Sequence, residues 1–98
     1  MSYLVNCTFD LKNATSRDYQ DAYQALDGIG LKKTIVADGG SKVVAPTTMT
    51  IGTFTGKDAG SVRDDISNSV AAAFRALNLT SEIFVIVGGD WAWGGRTT

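Results

Sequence analysis

Histidine is absent from this 98-residue sequence, cysteine and proline occur once each, and neither sign of charge dominates: nine lysines and arginines stand against ten aspartates and glutamates. Each shortage excludes something. Imidazole is the side chain that titrates near neutral pH and serves most catalytic triads and zinc sites, so a Ser-His-Asp hydrolase, a Cys-His protease and a histidine-based ribonuclease are ruled out. The catalysis left is carboxylate chemistry with a hard metal such as magnesium or manganese. The single thiol, Cys7, has no partner for an internal disulfide and lies within the apolar run YLVNCTF, which assigns it to packing rather than reactivity. A formal net charge of −1 leaves no electrostatic footprint for nucleic acid, and Lys32, Lys33, Lys42, Lys57 and Arg96 read as solvated surface. No window approaches the ~20 apolar residues of a membrane span. Met1 leads into a strand-like segment with neither a basic start nor a cleavage site, so no membrane association and a cytoplasmic location are expected.

What is present is a globular composition, 44% hydrophobic and 19% charged, of a length suited to one domain with a modest core. Residues 3–9 alternate: Tyr3, Val5, Cys7 and Phe9 point one way, while Leu4, Asn6, Thr8 and then Asp10 point the other. The stretch Thr15 to Asp18 has the form of a capping box, and Tyr19, Ala22, Tyr23 and Leu26 follow at helical spacing, predicting a helix over 16–27 closed by Gly28 or Gly30. A second strand is expected over 31–37, a glycine-rich turn at DGGSK, and a third strand over 43–55 with Pro46 near its start. Ser61 and Asp64 suggest a second capping box, ahead of an apolar stripe of Val62, Ile66, Val70, Phe74 and Leu77. EIFVIVGG is the last strand. The order strand, helix, strand, strand, helix, strand is that of an α+β, ferredoxin-like βαββαβ sandwich with both helices on one face of an antiparallel sheet. It makes one domain over residues 1–98, with 89–98 as a C-terminal tail.

In that architecture the last strand is an edge, yet residues 82–87 are apolar on both faces, and the helix-free face of the sheet needs a cover. A second copy is the simplest cover. Phe84 and Ile86 on the edge strand, with Trp91 and Trp93 in the tail, are the expected interface of a homodimer. The alternatives for the tryptophans are folding back on the chain's own core and stacking on a ligand.

The residues Phe9-Asp10-Leu11, ending the first strand, and Gly89-Asp90-Trp91-Ala92-Trp93, after the last, give the chain a resemblance to the SinR-like proteins. It is similar in the same residues to the small CRISPR-associated endonucleases of spacer acquisition and to the VapD-type toxins. The resemblance implies a homodimer in which Asp10 meets its symmetry mate and holds magnesium or manganese for cleavage of RNA or DNA. The family commonly carries tyrosine where Phe9 stands, and Phe9 has no hydroxyl. The alternative for Asp10 is a side-chain cap of the following loop, and for the whole protein a catalytically inactive dimeric binding or scaffold module. Asp90 reads as a turn residue.

Overall fold

The computed structural model describes residues 1–36, 39–40, 42–46, 48–96 and 98. The elements run β1 (Ser2–Leu11), α1 (Ser16–Ile29), β2 (Thr34–Val36), β3 (Lys42–Val44), β4 (Met49–Thr55), α2 (Ala59–Ala76) and β5 (Ser81–Gly88). The protein is α+β, with a three-stranded antiparallel sheet in the order β4-β1-β5 and a separate two-stranded sheet of β2 and β3. Among the described residues no helix is long and apolar enough to cross a membrane.

β1 is the spine, and its alternation decides the layers. Tyr3, Val5, Cys7, Phe9 and Leu11 are all buried and form one cluster with Ala22 and Leu26 of α1 and Val62, Ile66, Val70 and Phe74 of α2. A period of two on the strand thus meets the helical periodicity of both helices on the same side of the sheet. At the centre Phe9 packs edge-on against Phe74, with ring centroids 5.2 Å apart, and against Tyr23 at 5.4 Å.

α1 begins as its sequence demands. Thr15 Oγ1 accepts from the Asp18 backbone N–H, and Asp18 Oδ2 accepts from the Thr15 N–H, so both halves of the capping box are made. It ends on Gly30 at φ 110°, a left-handed geometry that glycine adopts without penalty.

α2 departs from expectation at both ends. Its N-cap is Asp58, whose carboxylate accepts from the Ser61 N–H at 2.7 Å, so the helix starts earlier than a Ser61–Asp64 box would place it. Asp64 instead pairs with Arg63. The apolar stripe stops at Phe74, and Leu77 is the exposed C-cap. The expected continuous strand over 43–55 is also two strands. Pro46 lacks the N–H that a ladder needs, and Thr48 takes φ 65°, which turns the chain between β3 and β4. Of the expected DGGSK turn, Asp38 and Ser41 lie outside the described residues, as does Ala37 at the end of the second strand. β2 and β3 pair antiparallel, and among the described residues a bridge between Lys32 and Ile51 joins this pair to the main sheet.

That corner is bolted by a lysine. Lys33 Nζ donates to the carbonyl oxygens of Ala45 and Pro46 at 2.7 and 2.6 Å and lies 5.1 Å above the Tyr23 ring, while the Tyr23 hydroxyl accepts from the Thr48 N–H. Partial burial of the ammonium lowers its pKa from the ordinary lysine value. Lys33 is therefore a structural bolt rather than solvated surface, and Lys32 is tied to Asp27 at 2.9 Å.

Candidate functional site

The even-numbered residues of β1 face away from the helices, and the strand register assembles them into rows. One row runs Ile51, Asn6, Ile86; the next runs Met49, Thr8, Phe84; beyond it Asp10 stands opposite Glu82. The two sides of this face differ sharply. Ile51 is 8% exposed, whereas Ile86 is 56% and Phe84 62% exposed. Between them, the Asn6 Oδ1 is buried without a hydrogen-bond partner among the described residues.

The hairpin and the tail account for the covered side. Ile35 and Val43 of the hairpin, Met49 and Ile51 of β4, and Trp93 of the tail share the wall of a cavity of about 600 Å³. A Cβ on Gly95 would lie 2.8 Å from Val43 Cγ1, so the tail approaches the hairpin as closely as a glycine permits. The tail begins in a looser approach, with a Cβ on Gly89 3.2 Å from the Tyr3 ring. Trp93 is half-buried in this arrangement, while Trp91 is 38% exposed. Within a single chain Trp93 thus has a place beside its own hairpin and Trp91 shares a neighbouring concavity with Val43, while Phe84 and Ile86 remain bare.

Asp10 lines an open concavity of about 400 Å³ together with Thr8, Thr48, Glu82 and Phe84. Two carboxylates opposite one another on adjacent strands repel, and Lys12 relieves this by pairing with Glu82 at 2.7 Å. The hydrogen bond and charge of Lys12 hold the Glu82 carboxyl below its ordinary pKa, and Glu82 raises that of Lys12 in return. Asp10 itself is exposed and accepts no hydrogen bond among the described residues, so it does not cap the loop that follows β1. Among the described residues no group of three or more His, Cys, Asp or Glu side chains gathers closely enough to hold a metal ion. At this concavity the described residues present the Asp10 carboxylate, while Glu82 is already engaged by Lys12.

No protein-family model matches this chain, and no curated protein does. What the surface can do follows from its own geometry.

Cys7 belongs to none of it. The thiol is buried in the helix-facing core, and loss of solvation pushes its pKa up to about 11, against a smaller opposing effect of its hydrogen bond with Thr50. A thiol so placed is inert. The Lys12–Glu82 pair was not singled out from the sequence, although strand alternation from Asp10 puts both on the surface. Their pairing depends on the β1–β5 register, for which the one-dimensional pattern carries no signal. The same holds for the cavity under Trp93, whose walls come from three distant segments.

Proposed function

We propose that the protein is a homodimeric interaction module of ferredoxin-like βαββαβ plan, elaborated by the extra short strand β3. The observation that carries this is the exposure of Phe84 and Ile86 on β5, which is an edge of the sheet and a bare half of its face at once. An unpaired strand with large apolar side chains is a template for association, and a second copy satisfies both the backbone edge and the apolar stripe.

Light scattering tests the assembly. The wild-type chain is expected at twice the monomer mass, and Phe84→Asp at the monomer mass with unchanged circular dichroism, because a carboxylate cannot be desolvated at an apolar contact without a partner. A monomeric wild type, or a Phe84→Asp variant that still dimerises, overturns the proposal.

The resemblance to metal-dependent endonucleases supports a second reading, in which the Asp10 carboxylates of two copies share a cation. It is favoured by the position of Asp10 in a concavity that Phe84 also lines. Within one chain Lys12 already engages Glu82, so this reading draws the second carboxylate from the partner copy's Asp10. The module reading expects identical traces for wild type and Asp10→Ala when labelled RNA and DNA are incubated with manganese. Cleavage that disappears in Asp10→Ala replaces the module reading with the nuclease one.

A further inference from the structure

We propose that the cavity between the β2–β3 hairpin and the C-terminal tail is a binding site for a nucleoside monophosphate, with the base against Trp93 and the phosphate between Lys42 and Arg96. Three observations converge there. At about 600 Å³ the cavity lies within the size range of small-ligand sites, and its walls are largely apolar, with Val43, Met49 and Ile51 among them. Among the described residues the charged side chains lining it are Lys42 and Arg96, both positive. Among the described residues neither makes an ion pair, whereas Lys12, Lys32 and Arg63 each have an acidic partner. In a chain whose net charge is −1, this concavity is a local excess of positive charge over an apolar floor.

The ligand class follows from that chemistry. An apolar wall bearing an indole takes a planar aromatic group, since any base presents a π-face to it. An ammonium and a guanidinium take a phosphate through charge-assisted hydrogen bonds. One nucleotide combines both demands in a single molecule. The glycines that follow Trp93 permit the arrangement: Gly95 lets the tail lie against Val43, and Arg96 then lines the same cavity as Lys42. Neither Phe84 nor Ile86 lines this cavity, so the site and the proposed dimer contact can be altered separately.

Isothermal titration calorimetry of the full chain with AMP, GMP, CMP and UMP, with inorganic phosphate and adenosine as fragments, tests it. At least one nucleotide is expected to saturate at one per chain, with affinity falling as salt rises. Lys42→Glu, on an exposed position, and Trp93→Ala are each expected to weaken binding about tenfold or more. Phe84→Asp should leave it unchanged even if the dimer is lost, which separates this site from the assembly. The proposal is overturned if no nucleotide saturates, or if Lys42→Glu binds like wild type. A thymidine hexanucleotide that binds far more tightly than every mononucleotide also overturns it, and assigns the groove to a single strand instead.

Discussion

Phe74→Ala is expected to remove about 4 kcal/mol of stability, the largest loss available from one side chain in this core. Phe74 is 1% exposed, closes the apolar stripe of α2 and meets Phe9 edge-on at the centre of the buried cluster. Truncation removes the burial of a ring and leaves a void that β1, held between two strands, cannot collapse to fill. Since domains of this kind have about 5–15 kcal/mol in total, the variant should unfold at a much lower urea midpoint with an unchanged slope. Leu77→Ala is the control. It was expected to continue the same stripe, but it is exposed, and its truncation should stay within about 1 kcal/mol of wild type. Equal losses at the two positions would contradict the packing described for α2.

Gly52→Ala is expected to cost about 3 kcal/mol although it adds one methyl group. Gly52 lies in β4 opposite Val5, where any Cβ would overlap the carbonyl oxygen of Gly30 and stand 2.8 Å from the Phe54 ring. The obstruction is backbone, so no side chain can rotate out of the way. Gly30 is fixed in turn, because its N–H bonds to the Leu26 and Asp27 carbonyls while it caps α1 in the left-handed region. The close approach of β4 to the end of α1 therefore depends on a glycine on each side. Gly28→Ala is the counter-experiment: its Cβ would meet nothing within 4 Å inside a helix, and alanine there should stabilise by up to about 1 kcal/mol. Thermal melts of the three proteins check both signs at once.

How much of this was legible in the sequence depended on range. The inward face of β1, the Thr15–Asp18 capping box, a glycine stop at Gly28 or Gly30 and the β5 segment all follow from patterns a few residues long, and the structure has them, with Gly30 as the stop. The errors arose where two local rules competed. Ser61 and Asp64 have the spacing of a capping box, but Asp58 lies a turn earlier and takes the same Ser61 N–H as its partner. Residues 43–55 have the threonines and aliphatic residues of one strand, yet the missing N–H of Pro46 and the left-handed Thr48 break it. The Asp10 environment was legible only as a position on the outward face. Its neighbour Glu82 is 72 residues away in sequence, and only the register of two distant strands brings Lys12 in as referee.

That same register has a consequence in time. Leu4 pairs with Gly88 and Leu11 with Ser81, so the first strand of the chain finds one of its two partners only at the far end. The helices can flicker into existence from neighbouring residues within microseconds, but the central strand has to wait for loops of some seventy residues to close. During synthesis the apolar residues of β1 leave the ribosome long before β5 exists to flank them. Folding of this small domain should therefore be governed by the late arrival of its last strand, in milliseconds to seconds rather than microseconds.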